Sequence, residues 1–376
     1  MALAGRDTGQ SDALWQEPAA LVSATVTGPL PSAQPSAAAA TEETRTLSAT
    51  GDIIMGSVPD RMPRRGGAGF FDAVTSSLSA DLVMGNLEQP LTGDTGTSKC
   101  RREGPPATPG GPPTVVQAPN CFAFRAPPAY AEHLKDAGFD LLNTANNHAR
   151  DFGPAGYRNT RKALDKYDLA YTGSTDEITV VDVEGVQVAV VGFSSYAGAN
   201  SLVDLSQARR VIRKATEQAD VVVVQVHMGA EGSDKGHVKP GTEIYFGENR
   251  GDPMKFARAV IDVGADLVVG HGPHVLRGME FYRGRLIAYS LGNFAGGGNT
   301  LSNGGILKYG GILKVSLTSN GTWSSGQFVA TAMNSAGLPT VDAKGNGRRL
   351  VAQLSAADFG DSAAVIGADG SISPPA

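Results

Sequence analysis

The run Ala219-Asp-Val-Val-Val-Val-Gln-Val-His227 constrains the fold more than any other stretch. Four consecutive valines leave no polar face, so this strand has to be covered on both sides. Strands of that kind belong to sheets flanked by helices. Helical spacing recurs at 70–78, 128–137, 156–167, 207–218 and 253–263, with apolar strands between them at 47–52, 80–88, 139–145 and 265–270. Alternating segments around Glu184-Gly185 and Arg283-Gly284 read as hairpins. The expectation is an α/β layered fold with mixed sheets. There is no Gly-x-Gly-x-x-Gly, no phosphate-binding P-loop and no Gly-x-Ser-x-Gly elbow.

At 376 residues the chain can form one large domain or two ordinary ones. Its net charge is −5 and its Lys and Arg residues form no cluster, so nucleic acid is not an expected partner. No segment approaches the roughly 20 apolar residues of a membrane span. Residues 1–44 read as a disordered Ala/Pro/Ser-rich tether, 45–340 as the folded domain, and 341–376 as a partly disordered C-terminal extension. Within the domain, 91–120 reads as an insertion loop rich in Gly, Pro and Thr. The only cysteines, Cys100 and Cys121, both fall at this insertion. A disulfide closing it is the preferred reading, over two free thiols, and points to an oxidising, extracytoplasmic compartment.

Ligands of α/β folds bind beyond the carboxyl ends of the strands. Five strand ends here carry groups able to hold a metal: Asp52; Glu88 with Asn86; Asn147 with Asn146 and His148; His227; and His271 with His274. Carboxylate oxygen with imidazole nitrogen suits a divalent ion such as Mn, Zn or Fe. In Gly270-His-Gly-Pro-His274 the glycine and proline fix a turn that can aim both rings at one point. His133 and His237 lie in helical and polar contexts and are expected to face solvent.

Together with Gly51-Asp52, Gly85-Asn-Leu-Glu88, Ala145-Asn-Asn-His148, Val226-His-Met-Gly229 and Tyr289-Ser-Leu-Gly-Asn-Phe294, this motif resembles the bacterial capsule-synthesis CapA family, the poly-γ-glutamate biosynthesis proteins. The ordered set spans residues 46–295. That family in turn resembles the calcineurin-like metallophosphoesterases. The resemblance implies a four-layer sandwich of two mixed sheets flanked by helices, with one or two metal ions at the strand ends. It implies Asp52 and His274 as ligands of a first ion, Asn147, His227 and His271 of a second, and Glu88 in the bridging position. It implies His148 as the proton donor to a leaving group, and Asn86 and Asn293 as supporting or substrate contacts. Two positions depart from the superfamily pattern. Ile54 stands where a histidine follows the first aspartate by two residues, and the bridging position is Glu rather than Asp. The first ion is then short of a ligand. The implied activity is metal-dependent hydrolysis of a phosphoester or of an anionic envelope polymer. The rival expectation is a non-catalytic subunit of a membrane-bound polymer synthesis or export assembly.

Overall fold

The computed structural model describes residues 43–376 except 109, 110 and 112. In the first sheet the strand Thr44–Ile54 pairs in parallel with Leu82–Leu87 and antiparallel with Tyr309–Thr318. Leu141–Asn143 and Ala170–Thr172 extend it in parallel on one side. Trp323–Met333 continues it antiparallel on the other. In the second sheet Val221–His227 lies between Val186–Ser194 and Leu267–His271, all three parallel. Antiparallel strands close both edges of that sheet.

The valine run explains the layering. Val221 and Val223 pack between the sheets, against a core that includes Leu47 and Met84 of the first sheet. Val222, Val224 and Val226 face the other way, toward Val211, Ile212 and Phe256 of the helices Leu205–Thr216 and Pro253–Ile261. A second helical layer covers the far side of the first sheet, where Phe71, Leu134 and Leu164 pack with Val83 and Leu142. The order is helix, sheet, sheet, helix, as expected. Burying each such valine is worth about 1.5–3 kcal/mol, so a charge introduced at Val224 would break the helix-facing layer.

Two boundaries differ from expectation. The 341–376 segment is not a partly disordered extension. Asn346–Phe359 is a helix whose Val351 enters the core between the sheets, and Phe359 stacks on Tyr289 at 5.0 Å. Ser371–Ser373 then pairs with Gly326 and Gln327 in the first sheet. These residues have weak local periodicity and are ordered by contacts distant in sequence. Thr44, assigned to the tether, opens the first strand, while 1–42 lie outside the described residues. The 91–120 insertion contains a hairpin, Arg101–Pro106 with Pro113–Gln117, clipped at its base by a Cys100–Cys121 disulfide.

Candidate metal centre and adjoining cleft

Strand register sets the site. Across the first sheet Asn143, Asn86 and Asp52 are aligned partners, and Asp52 is also aligned with Asn293. Across the second, Ser194, His227 and His271 are aligned. Both rows lie at carboxyl ends of parallel strands. They meet where the Gly272 N–H donates to Asp52 Oδ2 at 3.3 Å. Two glycines permit the close approach. A Cβ on Gly51 would collide with the Gly292 carbonyl oxygen. A Cβ on Gly272, at φ +107°, would press within 2.9 Å of His227 Nε2. His274 itself sits at φ +59°, a left-handed conformation costing a non-glycine residue of order 1–3 kcal/mol.

The first sheet supplies oxygens held by an amide relay. Asn143 Nδ2 donates to Asn86 Oδ1 at 2.9 Å, and Asn86 Nδ2 donates to Asp52 Oδ1 at 2.8 Å. Asn146 Nδ2 joins the relay, reaching Asn86 Oδ1 and the Leu87 carbonyl. Asn146 is therefore engaged in holding the site. Asn147, its neighbour, keeps a buried Oδ1 with no partner. Glu88 is fully buried and neither of its oxygens has a hydrogen-bond partner among the described residues.

The second sheet supplies nitrogens. Asn293 Nδ2 is committed to the Leu307 carbonyl, so Asn293 Oδ1 accepts from His274 Nδ1 at 2.9 Å, and the same Nδ1 lies 3.2 Å from Asp52 Oδ2. That leaves His274 Nε2 directed at Glu88 Oε1, 3.5 Å away, and at Glu231 Oε2, 3.7 Å away. His271 Nε2 lies 3.2 Å from Gln225 Oε1, and its unpartnered Nδ1 is 3.7 Å from Asp52 Oδ1. Neither nitrogen of His227 has a hydrogen-bond partner among the described residues, and Nε2 is 3.9 Å from Glu88 Oε1.

Charge follows from this crowding. Burial by itself would raise the Asp52 pKa, but the His274 hydrogen bond and the neighbouring imidazoles hold it at about 2. Burial pushes the Glu88 pKa well above the ordinary carboxylate range, with His274 opposing. Burial also depresses His227 far below its ordinary value and His271 to about 4, with Asp52 opposing in each case. For His274 the burial penalty is overcome by Glu88, Asp52 and Glu231, and the imidazole is held well above its usual range.

Buried lone pairs without partners are rare and costly, about 1–3 kcal/mol each. Here they converge. One donor atom each of Asp52, Glu88 and His274 lies within 4.8 Å of the others. Mixed carboxylate and imidazole donors, each steadied by an amide behind it, fit a divalent cation.

A cleft of about 590 Å³ adjoins this cluster, lined by Asn147, His148, Glu231 and Arg250 among others. His148 is buried, and its Nδ1 lies 2.8 Å from Oδ2 of the fully buried Asp151. Asp151 also accepts from the Phe124 N–H at 2.7 Å and pairs with Lys99 at 2.7 Å. Phe124 packs on the His148 ring at 4.6 Å. Burial lowers the His148 pKa against the pull of Asp151. This arrangement fixes the ring and leaves Nε2 as its free nitrogen.

Of the sequence-predicted site residues, the structure brings Asp52, Glu88, His227, His271 and His274 together, bonds Asn86, Asn146 and Asn293 into their surroundings, and places Asn147 and His148 along the adjoining cleft. His133 and His237 lie elsewhere; they bond the Gly66 carbonyl and Asp358. Sequence reasoning missed Asp151, Lys99, Glu231 and Arg250. Asp151 stands three residues after His148, a spacing that could have been noticed. The others come from loops, where no periodicity points to a site.

Residues 46–297 match the family described as bacterial capsule synthesis protein PGA_cap. The chain is 30% identical over 272 residues to the PGA biosynthesis protein CapA of Bacillus subtilis (strain 168), covering 67% of this chain and 63% of that protein. It is 32% identical over 274 residues to the capsule biosynthesis protein CapA of Bacillus anthracis, covering 67% and 60%. The chain thus spans about three fifths of the length of these curated relatives. A 5'-nucleotidase precursor from Thermus thermophilus superposes with a TM-score of 0.42 at 14% identity, covering 83% of this chain and 58% of that one.

Proposed function

The chain belongs to the bacterial capsule synthesis protein PGA_cap family, and from that premise we propose that it is a metal-dependent hydrolase of the phosphoesterase type. Its substrate would be a phosphoester or an anionic polymer of the cell envelope, poly-γ-glutamate foremost, and its setting extracytoplasmic. The observation that carries this is the set of unpartnered buried acceptors on Glu88, Asn147, His227 and His271 beside an oriented His148–Asp151 pair.

When bound, a divalent ion supplies a water of lowered pKa and a Lewis acid for the substrate oxygen. Asp52, Glu88, Asn147, His227, His271 and His274 would hold it. Asn86 and Asn146 keep Asp52 and the adjoining loop in place, and Asn293 and Gln225 orient two of the imidazoles. Asp151 holds Nδ1 of His148, so Nε2 is the atom that passes a proton to the leaving group, the oxygen of a phosphoester or the amine nitrogen of a γ-glutamyl amide. Phe124 packs against that ring at 4.6 Å and steadies it at the edge of the cleft.

The test is metal analysis of the purified protein, followed by hydrolysis of a generic phosphodiester and of poly-γ-glutamate with added Mn or Zn. Activity that His148→Ala and His227→Ala both abolish supports the proposal. A folded, metal-loaded protein inactive on every substrate supports the second reading, a non-catalytic subunit of a membrane-bound polymer synthesis assembly. One observation favours that reading: Ile54 is sealed among Phe124, Leu301 and Met333, and offers no ligand.

A further inference from the structure

We infer that Glu231 supplies the ligand missing at position 54, its Oε2 joining Glu88 and His274 Nε2 around a cation. This rests on the reading that the strand ends hold a divalent ion.

The place two residues after Asp52 is closed to any donor. Ile54 is fully buried in an apolar cluster with Phe124, Leu301 and Met333. A carboxylate approaches His274 from elsewhere. Glu231 lies four residues beyond His227, in the connection that leaves the strand Val221–His227. Its Oε2 is 3.7 Å from His274 Nε2, the same nitrogen that lies 3.5 Å from Glu88 Oε1. Two ligands about 2.1 Å from one ion at a roughly tetrahedral angle stand about 3.4 Å apart. Glu88 gives the independent sign of an absent ligand, since both of its oxygens are buried without partners.

The connection is built to hold Glu231 there. Fully buried Arg277 makes a two-pronged pair with Glu243, at 2.9 and 2.8 Å, and donates to the Ala230 carbonyl. The Ala230 N–H donates to Glu243 Oε2 at 2.7 Å. The residue preceding Glu231 is therefore clamped from both sides. Glu231 Oε1 lies 2.9 Å from Arg250 Nη2, an ionic contact without hydrogen-bond geometry, and the other oxygen is the one near His274. Charge balance for Arg250 does not require Glu231, because Glu248 already pairs with the guanidinium at 3.0 Å.

The probe is Co(II), titrated into the metal-free wild type, Glu231→Gln and Glu231→Asp, and read by equilibrium dialysis and visible absorption. The inference expects Glu231→Gln to bind one ion fewer, or its weaker ion at least tenfold less tightly, with an altered Co(II) spectrum. Glu231→Asp, which keeps a carboxylate, recovers part of the affinity. Unchanged stoichiometry, affinity and spectrum overturn the inference. Weaker binding with an unchanged spectrum also overturns it and makes Glu231 a positioning residue. A wild type that binds no Co(II) overturns the underlying metal reading instead. Thermal melts of the metal-free proteins verify folding, and if Glu231→Gln does not fold, the Glu231→Asp spectrum decides.

Discussion

The two ends of the parallel strands carry similar acids in opposite states. At the amino ends, Asp81, Asp140, Asp220 and Asp266 repeat one device. Each accepts a hydrogen bond from the neighbouring strand, from the N–H groups of Thr46, Val83, Gln187 and Val222, at 2.7–2.9 Å. Each returns its own N–H to the carbonyl of that same residue. At the carboxyl ends, Glu88, His227 and His271 retain lone pairs with no partner among the described residues. An acid at the start of a strand is thus a strut that locks two strands in register. At the finish, Asp52 is held by Asn86 and the Gly272 N–H, whereas Glu88 is poorly accommodated unless a cation arrives. Residue type does not separate the roles; the state of the lone pairs does.

The comparison breaks first at Glu88. Glu88→Gln is expected to lose more than about 100-fold in metal affinity, beyond the 10–100-fold typical of residues behind the ligands. The metal-free variant should nevertheless melt higher than metal-free wild type, by about 1–3 kcal/mol, because a carboxyl that burial disfavours is gone. Isothermal calorimetry and thermal melts check both halves. A metal-free variant less stable than wild type would mean that Glu88 is a strut after all.

Asp266 should behave in reverse. Burial raises its pKa to about 6, against the Val222 N–H bond and Arg285. Between about pH 4 and 6 the unfolded chain releases this proton while the folded protein keeps it. Stability therefore falls as pH rises through that window, by about 1–3 kcal/mol. Asp266→Asn should flatten that slope and leave metal stoichiometry unchanged, as chemical denaturation at several pH values will show. Any loss of bound metal in this variant would contradict the division between the two ends.

The smallest effect is expected at Asp220, which is exposed. Asp220→Ala removes one bond to Gln187 and should cost about 0.5–1.5 kcal/mol, with hydrolysis and metal content unaltered. A larger loss would show that the amino-end device is cooperative between strands.

Much of the site is legible in the sequence. Glu88, His227 and His271 each end an apolar run, and a run that stops at a polar residue marks a strand end on local grounds alone; Asp52 is flanked by Ile53 and Ile54, and its strand continues through them. Asn147 and Asn146 are adjacent and alike on paper, but one is left with a free buried oxygen and the other is bonded into the relay. Glu231 and Lys99 sit in irregular connections, so nothing in their neighbourhood announces them. The 341–376 segment is misread for the same reason. Val351 and Phe359 are spaced too sparsely to define a face until the sheets supply their partners.

The chain by itself determines the alternation of strand and helix, the two-sided burial of the valine run, and the polar residues at strand ends. These depend on periodicities of two and 3.6 residues, which are local properties. Tertiary structure alone decides which buried lone pairs are spent and which are left over. It closes position 54 with apolar side chains and carries Glu231 to within reach of His274. Those outcomes depend on pairings between residues scores of positions apart, which no local pattern encodes.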